Sequence, residues 1–316
     1  MKHALWSNET ACNRIRAGRL VVLIGWAVVL LTAACGEDEP PETYIRQFRS
    51  MDQTVRTRAG NELIRYPADE VVPLLIEAAD HELIRVRFEV MRMLGRFGDE
   101  RGVPVLIRAL GDPSPRVAAM AAASLTLLRA EEALPELLRY ARDPSPEVRR
   151  YVIAALGPCH DSQTQPALSD SAHRQVMRAL DDSRPEIRVA ALESIREFGY
   201  RDAGAQLVDM AVDPSPDVRY VVVQALGELG AGGRESSYRR PPRDPIVQPS
   251  AALRDSLVTA LLERLRPDEY QSIRTRTIRA LGEMQAEEAV PALEELEASG
   301  TADDQREARR ALAEIR

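Results

Sequence analysis

Residues Asp143–Gly157 read DPSPEVRRYVIAALG, and two close copies begin at Asp112 (DPSPRVAAMAAASLT) and Asp213 (DPSPDVRYVVVQALG). Proline disfavours continuation of a helix that precedes it, while Asp or Ser can cap the N-terminus of a new one. Each DPSP is therefore a turn between two helices. The residues after it carry an apolar stripe: Val148, Val152, Ala155 and Leu156, and again Val218, Val222, Ala225 and Leu226. Spacings of four, seven and eight place these on one helical face.

Working outward, the stripes end at Ile64, Gly95, Thr126, Gly157, Arg196, Gly227, Gly282 and Ala313, at intervals of 31, 31, 31, 39, 31, 55 and 31 residues. A fixed period with two insertions marks a chain of stacked units. A second signal introduces the other helix of each unit: VPLLIEAA from Val72, VPVLIRAL from Val103, LPELLRYA from Leu134 and VPALEELE from Val290. Proline fits the first helical turn, where its missing N–H leaves no bond unmade. Small residues recur two positions before these ends (Ser124, Ala155, Ser194, Ala225, Ala280), which lets neighbouring helices approach closely. A single hairpin cannot bury both faces, so the units must stack. The expected fold is an all-α solenoid of seven or eight helical hairpins over residues 50–316, with insertions near 158–168 and 228–251.

This pattern of P-x-L, Asp, Val-Arg and Ala-Leu-Gly resembles HEAT-like repeats of the short type found in phycobilisome lyases. The resemblance implies a structural ladder of Asp and Arg joining successive repeats. The matching residues are Asp112, Asp143, Asp182, Asp213 and Asp268 with Arg56, Arg87, Arg149, Arg188, Arg219 and Arg274. Ala118 breaks the arginine row and the last repeat lacks it, so an interruption is expected at both places.

Upstream, Arg14, Arg16 and Arg19 precede the apolar run LVVLIGWAVVLL (Leu20–Leu31), which is followed by Thr32, Ala33, Ala34 and Cys35. Twelve residues are too few to span a bilayer but suit the hydrophobic region of an export signal. The run resembles the lipobox of bacterial lipoproteins, with Thr32 where leucine is commoner. That resemblance implies removal of residues 1–34, lipidation of Cys35 and, with Gly36 following, placement at the outer membrane facing the periplasm. The open alternatives are an uncleaved anchor or a soluble export signal. The acidic, proline-containing stretch after Cys35 reads as a tether over residues 35–49.

The chain carries a net charge of −7, with +3 in residues 1–34 and −10 in the rest. An acidic body lacks the clustered positive charge that nucleic acid requires. Lys2 is the sole lysine, so the body has none for a Schiff base or phosphate loop. Once Cys12 and Cys35 are set aside, Cys159 is unpaired, so the body is no disulfide scaffold. His81–Glu82 resembles one unit of the metal-binding HEAT-repeat hydroxylases, which need several. Cys159–His160 lacks an identifiable third group. No cofactor or metal is expected.

Two surfaces depart from what stacking needs. One is the basic insertion with Arg234, Tyr238, Arg239, Arg240 and Arg243, suited to an acidic partner or simply a solvated loop. The other is the row Phe88, Ala119, Arg150, Val189, Tyr220 and Thr275 on the second helices, which line the concave side in this repeat type. Its aromatics either anchor a peptide or pack laterally. The functional expectation is an envelope-anchored scaffold for protein partners of unstated identity. The alternatives are an enzyme or small-ligand carrier resembling the phycobilisome lyases, or an architectural spacer.

Overall fold

The computed structural model describes residues 39–232 and 242–316, which contain sixteen α-helices in eight consecutive hairpins and no strand. The hairpins are α1 (Pro41–Gln47) with α2 (Gln53–Leu63), α3 (Ala68–Glu77) with α4 (Ile84–Phe97), and α5 (Val103–Ala109) with α6 (Pro115–Leu128). Next come α7 (Leu134–Tyr140) with α8 (Pro146–Leu156), and α9 (Pro166–Ala179) with α10 (Pro185–Glu197). The last three are α11 (Gly204–Met210) with α12 (Pro216–Gly230), α13 (Ala251–Leu262) with α14 (Gln271–Glu283), and α15 (Val290–Ser299) with α16 (Ala302–Ile315). Successive second helices pack against one another from α4 to α16, and each first helix covers its own second helix. This is the α-solenoid expected from the 31-residue period.

The stripes form the core. Val148, Val152, Ala155 and Leu156 are all buried, as are Val218, Val222, Ala225 and Leu226. The small residues let the second helices approach. Gly95, Gly157, Gly227 and Gly282 face Ser124, Ser194, Ala280 and Ala311 on the next second helix, and a Cβ at Gly227 would stand 2.7 Å from that of Ala280. Ser194 is fully buried there, and its Oγ accepts the Gly157 amide at 2.8 Å.

Three boundaries differ from the sequence reading. The tether expected over 35–49 ends earlier, because Pro41–Gln47 is the first helix of the first hairpin and Phe48 is fully buried. Tyr44 and Ile45 pack on the core, which an acidic composition read as a window had concealed. Pro73 lies inside α3 rather than in its first turn, since Pro67 caps the helix five residues before VPLL begins and Asp69 and Glu70 fill the first turn. The second insertion begins later than Glu228: α12 runs through Gly230, and Glu228 is buried against Arg196.

The DPSP turn explains itself in atoms. Asp112, Asp143 and Asp213 each accept the amide two residues on through Oδ1, at 2.8 Å, and Asp182 does so at 3.0 Å. The following Ser is the N-cap and Pro opens the helix, though only Ser145 closes a side-chain cap bond, to Val148. The ladder arginine then spans two turns. Arg188 forks onto Asp213 at 2.8 and 2.7 Å and bonds the Asp182 carbonyl of its own turn at 2.8 Å. Arg87 and Asp112 repeat this fork at 2.7 and 2.9 Å.

Elsewhere the ladder departs from the implied pairing. Arg149 stands 3.6 Å from Asp182, an ion pair without a hydrogen bond. Asp143 has Ala118 where its arginine would be, and its carboxylate serves only its own turn. Arg219 pairs with Glu269 at 2.8 Å and not with Asp268. Glu269 occupies the place held by proline in the DPSP turns, so its longer side chain reaches the fork and Asp268 is left exposed. Arg56 takes Glu89 on α4 at 3.2 Å. Arg274 continues the ladder onto Asp304 at 2.9 Å, where the capping box of α16 supplies a carboxylate from inside the helix.

Candidate functional site

The second-helix row behaves differently along its length. Phe88 is half-buried on the core, with the Arg116 guanidinium 5.3 Å from its ring centroid, and Ala119 is buried. Arg150 lies over Tyr151 at 4.3 Å and lines a depression of about 510 Å3 with Glu147, Arg184 and Glu186. These side chains are occupied by intramolecular contacts. Tyr220, in contrast, remains 41% exposed, and Tyr270 in the next repeat is 59% exposed.

The two tyrosines wall one open depression of about 410 Å3 whose lining is Val189, Pro216, Asp217, Tyr220, Val221, Tyr270, Ser272 and Ile273. Tyr220 is also the near wall of a second, of about 460 Å3, bounded by Gln271, Thr275, Arg276, Arg279 and Asp303. Tyr270 was not singled out by sequence. It is the N-cap of α14, the place where three earlier second helices carry Ser, and that exchange was the available signal. Arg219 sets its guanidinium 5.9 Å from the Tyr270 ring. Burial alone would raise the Glu269 carboxyl, but its bonds to Arg219 outweigh this and hold it below its ordinary value.

Arg243 is not a free binding group. Its Nε donates to the Pro158 carbonyl at 2.8 Å, one terminal nitrogen to the Arg129 carbonyl at 2.9 Å, and the other to Glu131. Its backbone amide donates to Glu197 at 3.0 Å, and the Asp244 and Val247 amides donate to the carbonyls of Glu197 and Gly199 at 2.9 Å each. Residues 242–247 thus form a strap across the C-terminal ends of α6, α8 and α10. The helix ends present carbonyls and partial negative charge, which the Arg243 guanidinium meets, while Arg129 pairs with the Glu197 carboxylate. Cys35, Arg234, Tyr238, Arg239 and Arg240 lie outside the described residues.

The Cys159–His160 pair lies under this strap. The Cys159 thiol is buried, within 3.5 Å of the Leu125 carbonyl, and burial pushes its pKa up to about 12. His160 is fully buried and stacked on Phe198 at 4.1 Å, with Nδ1 at 2.5 Å from the Gly157 carbonyl. Asp244 Oδ2 lies 3.2 Å from Nε2 but off the line of a hydrogen bond. His173 closes the other edge of Phe198, and burial lowers its pKa. The pair is core, shut away from substrate. His81 sits in a turn, its Nδ1 accepting the Leu83 amide at 3.0 Å. Among the described residues no three His, Cys, Asp or Glu side chains are grouped as metal ligands, and no helix is long and apolar enough to cross a membrane.

The eight hairpins agree with what the sequence matches. The family model for HEAT repeats covers residues 42–117, 103–179 and 174–238, and that for the PBS lyase HEAT-like repeat covers 273–298. The chain belongs to the HEAT-repeat family. No curated protein matches it. Among solved structures, the HEAT array is similar to the E. coli protein YibA, with a TM-score of 0.60 and 17% identity over 100% of this chain and 99% of that one. An engineered protein gives 0.54 and 19% over 88% of this chain and 78% of its own. The complex of CpcE and CpcF of phycocyanin lyase from Nostoc gives 0.46 and 21% over 78% and 94%. At these identities the likeness to YibA and to the engineered protein is one of fold alone.

Proposed function

We propose that this HEAT-repeat protein is an interaction scaffold that holds a protein partner on the face of its second helices. The observation that carries this reading is the pair of exposed tyrosines, Tyr220 and Tyr270, walling an open depression between consecutive repeats. Aromatic side chains with an apolar body and a polar tip are the residues that most often anchor a bound chain. The depression is open and its lining is mostly aliphatic and aromatic, which suits contact without bond making. The scaffold is further proposed to be exported and held to the envelope by lipid on Cys35, with the outer membrane's periplasmic face as its station.

Photo-crosslinking tests the binding face. A benzophenone side chain at Tyr220 is expected to give discrete crosslinked products in envelope extracts, and the same group at Gln206 on α11 is expected to give none. Equal products from both positions would sink the assignment of this face. The anchor is tested separately: Cys35→Ser should abolish labelling by radioactive palmitate and leave unprocessed precursor, whereas unchanged labelling refutes the lipoprotein reading.

A further inference from the structure

We infer that the tyrosine-walled depression takes a basic side chain, an arginine or lysine presented by an extended segment of the partner protein. This rests on the reading that the second-helix face is where a partner binds. The first ground is charge. The arginines of α12 and α14 are each paired with a carboxylate: Arg219 with Glu269 at 2.8 Å, and Arg274 with Asp304, Arg276 with Glu283 and Arg279 with Glu307 at 2.9 Å each. Two exposed acids remain, Asp217 in the lining and Asp268 in the turn that leads to Tyr270, against one exposed arginine, Arg266 of that same turn, and none of the three makes an ion pair among the described residues. The uncompensated charge at the mouth is therefore negative.

The second ground is shape. Val189, Val221 and Ile273 floor the depression, and two tyrosine rings wall it. That arrangement matches a long cationic side chain, whose aliphatic stem lies on apolar surface while its head meets ring faces and a carboxylate. The free amides at the start of α12 carry partial positive charge, which would favour an anion. Pro216 removes one of those amides and Asp217, next in the same helix, offsets the rest, so the end is left complementary to a cation. An acidic segment would meet Asp217 in a depression whose lining holds no arginine.

The test uses short fluorescein-labelled peptides of alternating Arg and Gly, with Glu–Gly and Gln–Gly controls, read by anisotropy on the folded protein. The basic peptide is expected to bind at least about tenfold more tightly than either control, weakening as salt is added. Asp217→Asn should weaken it and flatten the salt dependence; Tyr220→Ala should weaken it with the salt dependence retained. Both side chains are exposed, so far-UV dichroism should be unchanged. Equal binding of the three peptides, or insensitivity to Asp217→Asn, overturns the proposal. So does a wild-type oligomer that Tyr220→Ala dissociates, since a second copy would then fill the depression. The same basic peptide is added to the Tyr220 photo-crosslinking. Products that form but resist competition leave the scaffold face standing and remove the cation. Absent products with peptide binding that depends on Asp217 and Tyr220 keep the cation site and remove the scaffold.

Discussion

In the turn that opens with Asp213, one carboxylate oxygen accepts the Ser215 amide and both receive the fork of Arg188. One short acid thereby shapes its own turn and ties it to the preceding repeat. This explains why Asp rather than Glu recurs: the bond to the amide two residues on needs the shorter arm. Where the turn changes, at Arg266–Tyr270, Glu269 takes over the inter-repeat bond. Cys159 offers a sharper test at this scale. Its thiol is buried and its pKa stands near 12, against an ordinary value of 9.0. A folded value above the unfolded one means that stability from this group is complete below pH 9 and is lost as pH climbs toward 12. A disulfide reagent at neutral pH should leave Cys159 unlabelled in the native protein. It should react only at the rate at which the chain opens, as urea titration with peptide mapping would reveal. Rapid labelling without urea would show the thiol to be accessible and the site misassigned.

Helices and their order were legible in the sequence, because the signals that make them are local: a proline-capped turn, a stripe of period 3.6, a fixed repeat. The strap was not. Arg243 sits in a glycine- and proline-rich insertion whose composition reads as a solvated loop, yet its partners Pro158, Glu131 and Arg129 lie 85, 112 and 114 residues away. Nothing in a local window encodes such contacts. Tyr270 differs: the exchange of Ser for Tyr at the N-cap was in view, but its place beside Tyr220 and Ile273 in one depression was not. In the row it did identify, Tyr220 alone kept its ring open, while Phe88 and Arg150 turned onto neighbours. Arg243 therefore carries an expectation opposite to that of a solvated binding loop. Arg243→Ser removes several charge-assisted bonds to helix ends and should cost about 2–3 kcal/mol. Hydrogen exchange should quicken locally at residues 197–199 and 244–247, whose amides and carbonyls pair across the strap. Unchanged exchange there would mean the strap is held by its backbone alone.

Across the whole molecule, every hairpin contacts chiefly its neighbours in the chain, so stability is a sum of unit and interface contributions rather than the property of one core. The position of a lesion then matters as much as its chemistry. Leu156 on α8 and Leu312 on α16 occupy the same place in the stripe, and both are almost completely buried. Replacing either with Asp deletes roughly 1.5–3 kcal/mol of apolar burial and leaves an unpaired charge in the core, at a further penalty of several kcal/mol. Leu312→Asp should fray the last hairpin and leave the first seven protected, because only one interface is broken. Leu156→Asp breaks two interfaces in the middle of the array and loosens the footing of the strap at Pro158, so protection should fall on both sides of α8. Hydrogen exchange read peptide by peptide separates the two patterns. Equal and global loss from both variants would mean the array unfolds as one unit, and the nearest-neighbour account of its stability would fail.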